Sequence, residues 1–282
     1  MKKKYLAVPY VGWMAIFVIA PMVLVVGYAL VNRSGALTLD NFRAMTQYWG
    51  AFVTSFQLAI LATFICLLIG YPVAYWLSRE GEGVKRIAMI AIMLPMWMNF
   101  LLRTYAWMSI LENTGIINTV LKNIGFFALY NSLFGTNLTH FTMINTPGAV
   151  VLGMVYNYLP FMILPIYTVI DKIDPKVVEA AEDLGAPPFK VFQKVIFPLS
   201  LPGVLSGITM VFIPAVSTFA ISKLLGGGMT LLLGDLIEMQ FYGSAYNPYL
   251  GSAISLVMMV IVLISMAIMN HFGEGEGEAV YF

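Results

Sequence analysis

Long apolar runs separated by short polar stretches make up most of the chain. A helix that crosses a bilayer needs about 20 mostly apolar residues. Six stretches qualify, at residues 10–31, 52–77, 87–110, 148–170, 201–222 and 250–270. The pattern predicts an all-α integral membrane protein with six transmembrane helices. The first run follows Lys2, Lys3 and Lys4, as in a signal peptide. It is too long for one and no small-residue cleavage site follows, so it is read as a retained anchor.

Composition agrees with this reading. The 282 residues are 60% hydrophobic and 10% charged, with a mean hydropathy of +0.85. A soluble domain carries about 25% charged residues. The net charge of +1 offers no basic surface for nucleic acid. The single cysteine, Cys66, allows no internal disulfide and no Cys-based metal site, and His140 and His271 are far apart in sequence. Basic residues orient the chain. With the N-terminus inside, Lys2, Lys3, Lys4, Arg79, Lys85, Arg86, Lys172, Lys176, Lys190 and Lys194 are cytoplasmic. Arg33, Arg43, Arg103, Lys122 and Lys223 fall on the other side, ten against five. Six spans then return the C-terminus to the cytoplasm. Residues 1–272 form one membrane domain of the cell (inner) membrane, and the Gly-Glu repeat within 273–282 is a low-complexity tail expected to be disordered.

A polar island, residues 171–199, interrupts the apolar pattern. Asp174 is placed to cap a helix that opens on Pro175. Val177, Val178, Ala181 and Leu184 recur on one face, Gly185 stops the helix, and Pro187-Pro188 prevents its continuation. A second amphipathic piece follows, with Phe189, Phe192, Val195 and Ile196 on one side. Pro198 and Pro202 are expected to break it before the fifth span. The reading is two short helices joined by a tight bend at the cytoplasmic surface. Ala180, Ala181 and Gly185 permit close approach of another backbone, and Glu179, Glu182 and Asp183 offer charge. From the residues alone, an ordinary interfacial loop fits as well.

The spacing Glu179-Ala180-Ala181, three residues, Gly185, then Val195-Ile196-Phe197-Pro198 resembles the EAA signature of ABC importer membrane subunits. Val195 and Phe197 stand where Ile and Leu are usual. The segment Leu94–Trp107 resembles the third span of polyamine-importer permeases, and Gly226–Gly234 resembles their loop after the fifth span. The resemblance implies the type I ABC importer permease fold. In it, the island is a coupling helix docking on a partner ATPase dimer through residues 175–198. The coupling residues would be Glu179, Ala180, Ala181, Asp183, Gly185, Val195, Phe197 and Pro198. It also implies a second homologous permease and an extracytoplasmic substrate-binding protein. ATP and Mg would sit on the ATPase, with no cofactor on this chain. The expected cargo is spermidine or putrescine, with sulfate, ferric iron or phosphonate as alternatives.

Candidate residues for the translocation path come from spans three to five. Asn99, Arg103 and Trp107 recur every fourth residue and share a face if helical; Trp97 and Tyr105 lie in the same segment. Arg103 opposes a cationic cargo unless it snorkels outward or pairs with an acid such as Glu112. Tyr156 and Tyr158 offer ring faces to an ammonium group, and Pro160 and Pro165 suggest kinks. Beyond the fifth span, Lys223 is expected to pair with Glu238 or Asp235 and close an outer gate, with Phe219 as an apolar plug. Gly226-Gly227-Gly228 lacks the Gly-Lys-Ser/Thr of a phosphate loop and is read as a flexible bend. No nucleophile or acid-base constellation stands out, so the chain is read as a transport subunit and not an enzyme. An ion-coupled secondary transporter is the other class, but it calls for a midplane carboxylate. None of the six stretches contains Asp or Glu.

Overall fold

The computed structural model describes residues 8–243 and 245–277, with the side chains of 9–243 and 245–269. Lys2, Lys3, Lys4 and the end of the Gly-Glu tail from Glu278 lie outside the described residues, as does the side chain of His271. Among the described residues the secondary structure is helical, with one isolated β-bridge between Val31 and Leu37.

Five helices are long and apolar enough to cross a membrane, and a sixth crossing is a bent pair. We label them α1 (Pro9–Leu30), α2 (Trp49–Arg79), α3 (Glu82–Trp97) with α4 (Phe100–Leu111), α5 (Pro147–Ile170), α7 (Pro188–Ser217) and α10 (Pro248–Gly277). Between them lie α6 (Pro175–Asp183), α8 (Ala220–Leu225) and α9 (Leu233–Tyr242). Almost none of α1 is buried within the chain, and its apolar side chains face outward all round. That is the pattern of a helix solvated by lipid rather than by water.

The core is the trio α2, α5 and α7. No hydrophobic drive holds helices together inside lipid, so close backbone approach matters. Small residues supply it. A side chain at Gly203 of α7 would sit 2.9 Å from the Pro165 carbonyl oxygen and 3.0 Å from Val169 on α5. Gly70 of α2 and Gly207 of α7 both face the fully buried Met162. Tyr71 of α2 and Ser200 of α7 share a buried hydrogen bond of 2.8 Å. Two apolar clusters form along this trio. One includes Leu58, Met154, Ala215 and Leu236; the other includes Cys66, Ile166, Val191 and Ile196 and sits at the end that carries α6.

Three expectations change. The third span is not one helix: α3 and α4 meet at 92°. Pro95 sits near the end of α3, and Asn99 starts a new helix by accepting hydrogen bonds from the Leu101 and Leu102 N–H groups at 2.8 and 3.3 Å. Pro198 does not break the chain. A π-turn at Phe192–Ile196 precedes it, and the Phe197 N–H reaches back to the Phe192 carbonyl. The wider turn accommodates the proline, so helix runs on from Pro188 to Ser217. The fifth span also stops at Ser217, where an extended Thr218 separates it from α8. Helix α5, by contrast, stays continuous through Pro160 and Pro165.

Candidate functional site

The island folds into a helix whose two ends are both closed. The Asp174 side chain accepts from the Lys176 N–H at 2.9 Å, and Pro175 opens α6. At the other end the Gly185 N–H reaches the Glu182 carbonyl at 2.8 Å, and the Ala186 N–H reaches that of Ala181 at 3.2 Å. These two bonds form a Schellman motif, which requires the residue after the C-cap to be left-handed. Gly185 has φ +80° and supplies it.

The face of α6 differs from the expectation. Val178 and Ala181 pack on the cluster around Ile196, but Val177 is exposed and Leu184 is 89% exposed. Periodicity grouped four apolar positions, whereas the helix is too short for its bundle contact to cover them all. Phe189 likewise points out, 72% exposed, while Phe192, Val195 and Ile196 face in. Glu179, Ala180, Asp183, Phe197 and Pro198 are exposed. The result is a short helix and a turn into α7 that leave Val177, Leu184 and Phe189 exposed at the basic end of the molecule.

Behind α6 lies an open cleft of about 370 Å³ lined by Arg79, Lys85, Asp171, Glu179 and Glu182 among others. Lys85 Nζ contacts Asp171 Oδ1 at 2.7 Å and ties the start of α3 to the end of α5. The two residues flank different apolar runs on the same predicted side. That placement was a signal for the pair, which sequence reasoning missed.

At the opposite end, Lys223 of α8 contacts both oxygens of Glu238 on α9, at 2.9 and 3.1 Å. Lys223 forms no ion pair with Asp235. Asp235, 8% exposed, turns inward and accepts the Leu232 N–H at 3.0 Å. Burial pushes its carboxyl above the usual carboxylate range. Ser55 of α2 accepts the Leu233 N–H at 2.8 Å, so the first turn of α9 is anchored on the trio. Phe219, at the head of α8, is half-exposed. Gly227 and Gly228 have φ of +56° and +74° and form a turn against Asn145.

Asn99 stands outside α4 as its cap and is exposed, so the predicted triad does not lie on one continuous helix. Trp97 is 80% exposed beside it, and Tyr105 is exposed on the flank of α4. Trp107 packs edge-on against Tyr156 of α5 with ring centroids 5.3 Å apart, which joins the two helices. Arg103 neither snorkels nor pairs with Glu112. It is 8% exposed, its Nε and Nη1 have no partner, and it enters no ion pair.

Residues 67–275 match the family model described as the binding-protein-dependent transport system inner membrane component. The spermidine/putrescine transport system permease protein PotB of Escherichia coli is 33% identical over 263 residues, spanning 90% of this chain and 92% of that protein. The protein of the same name in Haemophilus influenzae is 36% identical over 259 residues, spanning 89% and 87%. Among solved structures, a bacterial ABC transporter involved in import of the acidic polysaccharide alginate superposes with a TM-score of 0.79 at 15% identity, over 96% of this chain and 94% of that one. The inward-facing MetNI methionine ABC transporter gives 0.56 at 16% identity, over 82% and 98%. Likeness at such identity establishes the fold: six crossings in the type I ABC importer permease arrangement.

Proposed function

The chain belongs to the binding-protein-dependent transport system inner membrane components, and from that membership we propose that it is the permease through which an ATP-driven importer carries spermidine or putrescine into the cytoplasm. It is a transport subunit and not an enzyme. The cargo reading is supported by relatives named for spermidine/putrescine transport that match about nine-tenths of the chain. The protein is a multi-pass component of the inner membrane. Its α6 end carries Arg79, Lys85, Arg86, Lys172, Lys176, Lys190 and Lys194, which supports a cytoplasmic placement of that end and of both termini.

One observation carries the mechanism. Helix α6 is capped at both ends and rests on the core through Val178 and Ala181, and Val177, its cap residue Leu184 and Phe189 at the start of α7 are exposed close to one another in sequence. Exposed apolar side chains on and beside a charged helix at the cytoplasmic end call for a protein partner. The ATPase dimer is that partner, with ATP and Mg bound there. Its closure would push α6. The cluster of Val191, Ile196 and Ile166 would pass that push to the α2, α5 and α7 trio. Glu179, Ala180, Ala181, Asp183, Gly185, Val195, Phe197 and Pro198 form the coupling surface and its support. A second homologous permease completes the path, and an extracytoplasmic binding protein delivers the cargo. Trp97, Asn99, Tyr105 and Tyr156 contribute aromatic and amide groups to that path. Phe219, Lys223, Asp235 and Glu238 form its outer gate.

Reconstitution of the full importer in proteoliposomes tests this. ATP inside and labelled spermidine with the binding protein outside should give ATP-dependent uptake competed by putrescine. Uptake of a different solute would reject the cargo. Uptake driven by an ion gradient without ATP would reject the transporter class.

A further inference from the structure

We propose that the helical hairpin at residues 116–134 lies in the outer leaflet of the membrane as an interfacial anchor, with phospholipid as its partner. The choice of leaflet rests on the orientation read above. The hairpin consists of the helices Ile116–Asn123 and Phe126–Phe134, which pack on each other. It is built inside out. Asn118, 3% exposed, donates to the Glu112 and Phe141 carbonyls at 3.1 and 3.0 Å and accepts the Phe141 N–H at 2.9 Å. Asn131 donates to the Leu138 carbonyl and accepts the Leu138 N–H, both at 2.9 Å. These amides are turned into the protein, while Ile116, Val120, Ile124, Leu129 and Leu133 are 51 to 70% exposed. Water selects the reverse arrangement, and so many outward aliphatic side chains mark a contact with an apolar partner.

The level of the hairpin selects lipid as that partner. The 16 residues of α3 rise about 24 Å, which is most of the ~30 Å hydrocarbon layer. Past the break, the segment Phe100–Asn123 runs at 92° to α3. It therefore follows the membrane plane near the outer boundary. Ile116, Val120 and the C-cap Ile124 are spaced by four and share one side of their helix. Thr119 and Lys122 are exposed on its other flank. An aliphatic side with a lysine opposite it suits a helix lying in the headgroup layer, where the amine meets lipid phosphate. Asn118 ties this anchor to the end of α4, which packs on α8 of the proposed gate.

The experiment uses the whole importer in proteoliposomes of phosphatidylethanolamine and phosphatidylglycerol. A nitroxide is attached at Val120→Cys, Leu129→Cys or Lys122→Cys in turn; the native Cys66 is buried and stays unlabelled. ATPase retention and uptake serve as folding controls. Labels at 120 and 129 should collide with oxygen at least threefold more often than with a water-soluble nickel chelate, and the label at 122 should show the reverse. More collisions with the chelate at 120 and 129 overturn the proposal, and their loss on adding the binding protein would assign the face to that protein. Few collisions with either reagent assign it to the second permease and overturn the proposal equally. If one cysteine variant fails to insert, the other apolar position decides. A membrane-impermeant maleimide applied to spheroplasts should modify Lys122→Cys. Modification only after lysis rejects the orientation, and with it the outer leaflet, independently of the collision ratios.

Discussion

Lys223 Nζ sits between the two carboxylate oxygens of Glu238, 2.9 and 3.1 Å away, and so links α8 to α9 at the end of the molecule opposite α6. The lysine side chain is 62% exposed, so the pair contributes at most about 1 kcal/mol to stability. In the outer gate proposed above, the pair would act by holding two short helices together. Lys223→Glu or Glu238→Lys alone should impair uptake several-fold with little loss of stability. The double exchange should restore uptake measured in the same vesicles. An equal loss in the double variant would refute the pairing as a gate element.

Gly185 closes α6 in the left-handed region with open space around it. A side chain there meets no neighbour, so the cost is conformational, about 1–2 kcal/mol. Gly185→Val should insert normally and leave ATP hydrolysis running while uptake falls by an order of magnitude or more. The ratio of ATP hydrolysed to cargo moved, measured in proteoliposomes, checks this. An unchanged ratio would mean that α6 does not couple the two.

A Cβ at Gly203 would meet the Pro165 carbonyl oxygen at 2.9 Å across the α5 and α7 contact, while one at Gly207 would press first on the Met162 sulfur, at 2.7 Å, with the Met162 carbonyl oxygen farther off at 3.2 Å. Backbone cannot yield as a flexible side chain can. Gly203→Ala should therefore destabilise the protein by about 1–3 kcal/mol, and Gly207→Ala by less. Thermal unfolding of the detergent-solubilised protein ranks the two, and the reverse order would contradict this packing.

Asn99 caps α4 through two backbone N–H groups. Asn99→Ala should cost about 1 kcal/mol, whereas Asn99→Asp or Asn99→Ser should cost little. If Ala and Asp behave alike in thermal unfolding, the cap does not hold the break.

Asp235 combines a cap with a buried carboxyl whose titration is displaced upward by desolvation. A group whose folded value lies above its unfolded one stabilises most below the unfolded value, about 3.9, and that contribution is lost as pH rises through the folded value. Asp235→Asn retains an acceptor for the Leu232 N–H and removes this dependence. It should match or exceed wild-type stability at neutral pH and lose that advantage in acid. Asp235→Ala removes the same titration but lacks the acceptor, so it should be less stable than Asp235→Asn by about 1 kcal/mol at both pH values.

Apolar run lengths, the Asp174 and Pro175 start of α6 and its Gly185 stop were all legible in the sequence. Each rests on a local rule: hydrocarbon thickness, a side-chain cap, a left-handed residue. The pattern Glu179-Ala180-Ala181 to Pro198 pointed to the family for the same reason, since it lies within twenty residues of chain at fixed spacing. The break at Asn99 also had a local signal, with Pro95 four residues before an N-cap residue, but continuous hydropathy across 87–110 masked it. The π-turn that carries helix past Pro198 had none, because proline at that position reads as a stop.

What the sequence alone determined is which segments are long and apolar enough for lipid and where α6 starts and stops, because transfer energy and capping depend on neighbours along the chain. Only the tertiary structure decided where the side chains point. Leu184 and Val178 look alike in the pattern, yet one faces out and the other in. Asp235 and Glu238 were equal candidates for Lys223, yet only Glu238 meets it. Arg103 could have snorkelled, yet the break before α4 buries it without a partner. Those outcomes turn on distances between residues that are not neighbours along the chain, which local rules do not fix.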